Sequence, residues 1–452
     1  MEMYADPQSV DKYLNVELEC GCGRTHFAPV KDVFIGENAL VALPDFVKKY
    51  GYSRPYIICD EITYSVAGKS CAENLENAGI CASVRILKHL GFDEATLGEI
   101  LINKPDDADL IIGVGTGSIT DITRYSSFKL KLPCFIVATG APMDGFAASI
   151  GIMNIDNLKT TMPAHCAEVI IGDTGVLTGA PYRMTIAGFG DLVAKINCLN
   201  DWRLDALINN AHYCRKIDEL VSHYVSDILT KTDKIKNRDP QATGDVMNAL
   251  VLTGAVISLY GTSRPVSGSE HHMSHYWEVV GENRGRSFAM HGEQVSVGTY
   301  LCLKLCEKLL GEFEGGRFDF ALAREKAAAY DFSAWEKEIR RAYGKAADAV
   351  IEFEKKSGKN DIEGRLKRID AAERNLSKIC EMLSGMYPSS EYHDMMKGLG
   401  CPVDPSDIGL DKDVLWDTFL YAKDTRAVYT VLQLAWDLGL SGKLADEIIA
   451  EL

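Results

Sequence analysis

Several features that would place this chain quickly are missing from it. Its first residues, MEMYADPQSVDKY, have no basic-then-apolar run of a secretory signal, so a cytoplasmic protein is expected. No stretch approaches the roughly 20 uninterrupted apolar residues of a membrane span, so no membrane insertion is expected either. Positive charge is scarce: 48 Lys and Arg face 64 Asp and Glu, and the net charge of −16 argues against a nucleic-acid partner. The thirteen cysteines form no Cys-x-x-Cys repeat. They are scattered through apolar segments and read as small buried hydrophobes of a reducing compartment. The one close pair, Cys20-Gly21-Cys22, is read on the same ground as carrying no zinc. Internal repeats and low-complexity tracts are absent.

What is present is ordinary in bulk, with 46% hydrophobic and 25% charged residues. At 452 residues the chain is too long for one core, and two or three domains are expected. Apolar, β-rich runs at Tyr56–Cys59, Ala82–Leu87, Leu110–Val114 and Cys134–Ala138 alternate with helix-length segments, which predicts a parallel sheet with crossover helices. Ser149–Asn154 and Leu158–Met162 flank Ile155-Asp156-Asn157 as a hairpin would. Past Pro181 the texture turns helical, with helices expected over Arg183–Asn200, Asp245–Ser258, Glu293–Leu310 and much of 318–385. The boundary divides the chain into 1–180 and 181–452. Lys337–Arg374 is dense in charges of alternating sign and reads as a solvated helical face.

Two kinds of motif carry chemistry. Gly113-Val114-Gly115-Thr116-Gly117-Ser118 follows a predicted strand and opens a helix, where glycines let backbone approach a pyrophosphate and helix amides face it. Ser118 occupies the place of the third glycine in the dinucleotide fingerprint, so a plain tight turn is the competing reading. Asp60, ending an earlier strand, either takes a ribose hydroxyl or caps the next helix. Asp144, in the strand-end loop Thr139–Gly145, either binds a hydroxyl or makes an Asp-Gly turn.

The second kind is an acid-and-imidazole set. Gly188–Asp191 brings a carboxylate, Glu270–His275 brings three histidines, and Met290–Glu293 brings His291. Asp191, His271 and His291 together make a three-ligand set that leaves one coordination position open, as a catalytic metal needs. Asp191 and Lys195 are four apart and expected on one helix face, as are His271 and His275. His272 points elsewhere and reads as a bystander. Taken alone, Asp191 also fits a helix N-cap after Gly190.

In this order, CGCGRTHFAP, GVGTGSITDITRY, ATGAPMDGFAAS, AGFGDLVAKINCLNDW, SRPVSGSEHHMSHYWE and MHGEQVSVGT resemble the sn-glycerol-1-phosphate dehydrogenases over roughly residues 15–310. These belong with the iron-containing alcohol dehydrogenases, glycerol dehydrogenase and dehydroquinate synthase. The resemblance implies a Rossmann-like α/β N-terminal domain followed by an all-α C-terminal domain of the dehydroquinate-synthase type. It implies Asp191, His271 and His291 as ligands of one divalent metal, zinc, nickel or iron. It implies substrate contacts from Asp144 and His275. Asp60, the loop Gly115, Thr116, Gly117, Ser118 and Ile119, and the loop Thr139, Gly140, Ala141 and Pro142 would hold NAD or NADP. Two positions depart from the family pattern: Ala148 replaces the usual serine, and Gly140 replaces a bulkier residue.

The activity so implied interconverts dihydroxyacetone phosphate and sn-glycerol 1-phosphate. Lys159, Lys195 and Arg264 are candidate cations for the phosphate, and a homodimer is expected. Competing readings are a related polyol dehydrogenase, a dehydroquinate-synthase-like enzyme, and a non-catalytic sensor on the same fold.

Overall fold

The computed structural model describes residues 10–155, 158–314 and 318–452, apart from the side chains of residues 11 and 158–161. The chain forms two compact units. The first runs to Leu192 and takes in Glu219–Ser263; the second comprises Val193–Asp218 and Arg264–Leu452.

Among the described residues, the first unit is built on ten strands: β1 (Leu18–Glu19), β2 (Thr25–His26), β3 (Asp32–Gly36), β4 (Pro55–Cys59), β5 (Ser83–Ile86), β6 (Leu110–Gly115), β7 (Cys134–Ala138), β8 (Ile150–Ile155), β9 (Leu158–Pro163) and β10 (Val169–Asp173). Six of them form one parallel sheet in the order β3-β10-β7-β6-β4-β5. Every residue of β4, β6 and β7 is buried, which is why these segments read as continuous apolar runs. β8 and β9 pair antiparallel, as the sequence suggests, while their turn residues Asp156 and Asn157 lie outside the described residues. β3 and β10 were not among the expected strands. β3 sits at the sheet edge with half-exposed residues, so its pattern is weak. β10 passes straight into a helix, so no loop marks its end.

The helix Gly117–Leu130 lies close against β6. A Cβ at Gly115 would come within 2.6 Å of the Ile119 side chain, and one at Gly113 would clash with Thr123. These glycines therefore serve strand–helix packing. The helix Pro240–Tyr260 is capped by Asp239, whose Oδ1 accepts the Ala242 amide at 2.8 Å, and starts with Pro240. It is long and apolar enough to cross a membrane, yet 83% of its apolar window is buried in the protein. Its apolarity is that of a core helix.

The second unit is helical. Its core gathers Trp277, Met273, Leu301, Leu305, Ile339, Tyr343 and Leu444 around the helices Ser269–Asn283 and His291–Glu314. Two expectations are corrected here. The segment Arg183–Asn200 is not one helix: Tyr182–Val193 ends, Ala194 turns, and Lys195–Asn209 begins. Asp191 and Lys195 thus stand on successive helices, and Asp191 lies in a last turn rather than at an N-cap.

The charged stretch Lys337–Arg374 is also more than a solvated face. Glu354, Lys359, Arg365 and Arg368 are buried. Arg368 forms a two-pronged pair with Asp437 at 2.7 and 2.8 Å, and Lys359 pairs with Glu354 at 2.8 Å while donating to the Arg426 carbonyl at 2.7 Å. The alternation of sign does not reveal this burial, because Asp437 and the Arg426 carbonyl lie 69 and 67 residues further on.

Candidate active site

In the first unit the strand order reverses between β4 and β6: from β4 the chain moves outward to β5, then returns to β6 on the other side and continues to β7. The crevice outside the carboxyl ends of strands at such a point is where doubly wound sheets take ligands. Asp60 follows β4, Gly115–Ile119 end β6 and begin its helix, and Thr139–Pro142 follow β7. Topology therefore brings the three sequence-predicted cofactor segments to one sheet edge.

Local chemistry there is mixed. Asp60 caps the turn Glu61–Thr63, its Oδ1 accepting the Thr63 amide at 2.7 Å while its own amide donates to Thr63 Oγ1 at 3.0 Å. The capping role is thus present. Thr116 precedes the helix Gly117–Leu130 but makes no capping bond, and its hydroxyl is buried without a partner among the described residues. An orphaned hydroxyl at the amide end of a fourteen-residue helix fits the phosphate group of a dinucleotide. The loop 139–145 is seated by two glycines opposite it. A Cβ at Gly188 would lie far inside contact distance of the Ala141 carbonyl oxygen, and one at Gly254 would do the same to that of Asp144. A Cβ at Gly140 would approach Met184 Sδ at 2.9 Å, a flexible neighbour that can give way. Asp191 is fully buried, and its Oδ2 accepts the Asp144 backbone amide at 3.0 Å.

In the second unit three imidazoles gather. Ring centroids of His271 and His291 are 5.3 Å apart, those of His275 and His291 6.0 Å, and those of His271 and His275 6.4 Å. Helical spacing places His271 and His275 on one face of Ser269–Asn283, and His291 opens the next long helix. His271 Nδ1 lies 2.6 Å from Glu270 Oε1, which fixes the ring and makes Nε2 the nitrogen a metal would take. Burial works against the Glu270 charge, but hydrogen bonds from His271, Cys198 and the Gly268 amide outweigh it and hold the carboxyl below its ordinary range. Cys198, Glu270 and His271 offer three closely spaced ligand atoms. Burial and the Glu270 charge push the Cys198 thiol well up, so it stays protonated and donates to Glu270 at 2.8 Å. That trio is a support for His271, not a second metal site.

His275 is held on both sides. Arg426 Nη2 donates to its Nε2 at 3.1 Å, so Nδ1 carries the hydrogen and donates to Glu278 Oε2 at 3.2 Å. Burial lowers its pKa to about 4, with Arg426 and His291 adding to the shift, so the ring is neutral near pH 7. His272 is fully buried, and neither ring nitrogen finds a hydrogen-bond partner among the described residues. Burial, with Lys359 and Arg426 nearby, keeps it neutral.

Arg426 went unnoticed in the sequence. It stands in KDTRAVYT, beyond the reach of the resemblance and outside any motif. Of the candidate phosphate cations, Arg264 is committed to the Asp201 and Tyr429 carbonyls at 2.6 Å each, Lys195 is fully buried, and the Lys159 side chain lies outside the described residues.

A parallel sheet with a ligand crevice at its switch point, followed by a helical unit bearing a histidine cluster, is the architecture of the iron-containing alcohol dehydrogenases. The family model described as iron-containing alcohol dehydrogenase matches residues 34–181. Among solved structures, a probable glycerol dehydrogenase from Sinorhizobium meliloti 1021 aligns over 94% of this chain and 100% of its own, with a TM-score of 0.61 at 13% identity. Glycerol dehydrogenase from Schizosaccharomyces pombe aligns over 93% and 91%, with a TM-score of 0.57 at 15% identity. Those likenesses show the fold.

Curated relatives go further. The glycerol-1-phosphate dehydrogenase [NAD(P)+] of Geobacillus stearothermophilus is 31% identical over 317 residues, covering 68% of this chain and 78% of the relative. That of Bacillus velezensis is 34% identical over 62% of this chain and 74% of its own. The chain belongs to the glycerol-1-phosphate dehydrogenase family.

Proposed function

We propose that this chain is a metal-dependent, NAD(P)-linked dehydrogenase that interconverts dihydroxyacetone phosphate and sn-glycerol 1-phosphate. The observation that carries the reading is the cluster of His271, His275 and His291, with His271 oriented by the buried Glu270. Asp191, His271 and His291 are the proposed metal ligands. A carboxylate and two imidazoles suit zinc, nickel or ferrous iron, and the set leaves a position for a substrate oxygen. When bound, the metal supplies Lewis acidity at the ketone oxygen and the dinucleotide supplies the hydride.

The chain's own residues do the rest. The first-turn amides of Gly117, Ser118 and Ile119 and the Thr116 hydroxyl hold the pyrophosphate, and Thr139–Pro142 lie along the same edge. Asp60 keeps Oδ2 for a ribose hydroxyl while Oδ1 caps its turn. Asp144 orients a substrate hydroxyl. His275, neutral and bearing its proton on Nδ1, relays a proton between substrate oxygen and Glu278 once Arg426 turns toward the substrate. Arg426 takes the place of the unranked cations as the phosphate contact, since its guanidinium faces the histidine cluster. In the reducing direction one hydride goes to C2 of the ketone and one proton to its oxygen.

The division of labour follows the change of texture near Pro181, with 1–180 holding the dinucleotide and 181–452 carrying the metal-binding and catalytic histidines, while Asp144 reaches the substrate from the first part. A homodimer in the cytoplasm is part of the same proposal, checked by light scattering and fractionation. The decisive assay combines apo-protein with Zn²⁺, Ni²⁺ or Fe²⁺, NADH or NADPH, and dihydroxyacetone phosphate. Cofactor oxidation is expected; its absence under every metal removes the substrate assignment. His271→Ala and Asp191→Asn are expected to weaken metal binding at least 100-fold, and wild-type affinity in either removes the ligand assignment. A polyol dehydrogenase on the same fold would instead turn over unphosphorylated glycerol.

A further inference from the structure

The hairpin β1–β2 has strands of only two residues each, too short to stand by themselves. Its turn, Cys20-Gly21-Cys22-Gly23, closes with the Gly23 amide donating to the Cys20 carbonyl at 3.1 Å, and Gly23 takes the left-handed φ of 86° that glycine accepts without strain. The turn places both thiols beside His26. Ligand atoms of Cys20, Cys22 and His26 lie within 4.8 Å of one another, and Cys22 Sγ is 3.4 Å from His26 Nε2.

His26 is prepared for ligation. It is buried, and its Nδ1 lies 2.8 Å from the Leu259 carbonyl oxygen at the end of the helix Pro240–Tyr260. A carbonyl can only accept, so Nδ1 carries the hydrogen and Nε2 turns its lone pair toward the sulfurs. That is how protein-bound metals have their histidines held. Metal bonds of about 2.3 Å to sulfur and about 2.0–2.1 Å to nitrogen, at a tetrahedral angle, set sulfur and nitrogen about 3.6 Å apart. The observed separation needs almost no adjustment.

We propose that Cys20, Cys22 and His26 hold a structural zinc ion that pins this hairpin to the end of the helix Pro240–Tyr260, separate from the proposed catalytic metal. The cysteine pair lacks a Cys-x-x-Cys repeat, but the spacing that counts is Cys-x-Cys-x₃-His, with the imidazole four residues on. Metal binding here releases the thiol protons and requires reduced cysteines, and none of the thirteen cysteines is in a disulfide.

Cobalt(II) replacing zinc in the full-length protein tests this directly. Thiolate ligation gives an intense sulfur-to-cobalt absorption in the near ultraviolet, whereas the Asp191, His271 and His291 set has no thiolate, so the band reports this site alone. The wild type is expected to develop the band, saturating at one cobalt per chain, and Cys20→Ser/Cys22→Ser to lose it while keeping one metal equivalent. His26→Gln is expected to shift and weaken it. His271→Ala is expected to leave it intact, which separates the failure of this proposal from that of the catalytic one. Structural zinc takes four ligands, and the intensity of the band per cobalt counts the thiolates among them. Circular dichroism verifies folding of each variant. No band in the wild type at saturating cobalt, or a band surviving in the folded double variant, overturns the proposal.

Discussion

At the carboxyl edge of the parallel sheet, what is offered to a dinucleotide is mostly backbone: helix amides, strand-end loops and glycines, with the Thr116 hydroxyl and Asp60 beside them. In the helical unit it is side chains, with imidazoles and carboxylates buried on helix heads and held by charged neighbours such as Arg426 and Glu278. A sheet edge makes a site by topology and needs few special residues. A helix bundle must bury polar groups to make one, and it then has to pair each of them. The two units should therefore fail differently when altered.

The largest effect is expected in the helical unit. Asp437 pairs with Arg368 and also accepts from Tyr429 and Gln433 at 3.2 Å each. Asp437→Ala leaves a buried guanidinium without its carboxylate, which costs about 3–5 kcal/mol. All five tryptophans, at 202, 277, 335, 416 and 436, lie in this unit, so their fluorescence in urea reads its unfolding separately. In the sheet unit the counterpart is Lys49 with Asp32, where the lysine is 54% exposed, and Lys49→Ala is expected to cost about 0–1 kcal/mol. Equal losses in the two variants would break the contrast.

The same contrast explains what could be read in advance. Three of the six sheet strands, β4, β6 and β7, were legible because each is buried throughout and so reads as an apolar run, and β5 was legible from its place between two helix-length segments. That the expected cofactor segments stand at strand ends was legible from the strand–loop pattern, and the shared face of His271 and His275 from their spacing. Arg426 was not legible, because it reaches His275 across 151 positions of chain. Nor were Arg365 and Arg368, whose burial depends on partners such as Asp437 rather than on their own neighbours in sequence. Asp60 shows the limit at a single residue: one carboxylate both caps a helix and stands at the cofactor edge, and no spacing rule chooses between the two.

Gly188 tests the sheet unit's reliance on backbone fit. In Gly188→Ala the new Cβ meets the Ala141 carbonyl oxygen, which belongs to a loop rather than to a flexible side chain. Overpacking of this kind costs about 1–3 kcal/mol. Because the loop 139–142 must move to relieve it, the KM for the dinucleotide should rise with the loss of stability, while metal content stays at the wild-type level. Thermal unfolding by circular dichroism and a cofactor titration check both halves. A fall in stability with unchanged cofactor affinity would detach this loop from the binding edge.

A small effect of the opposite sign is expected at a second glycine. Gly98 lies inside the helix Glu94–Asn103, and a Cβ built there meets nothing within 4 Å. Unlike Gly188, it is kept by no close approach, so its only contribution is the entropy it adds to the unfolded chain. Gly98→Ala should stabilise the protein by about 0.5–1 kcal/mol, with kinetics and metal content unchanged. The two glycines then separate packing from propensity within one unit. If Gly98→Ala destabilised the protein as Gly188→Ala does, then close backbone fit would not be confined to the ligand edge, and the distinction between an edge shaped for a cofactor and an ordinary helix surface would fail for this unit.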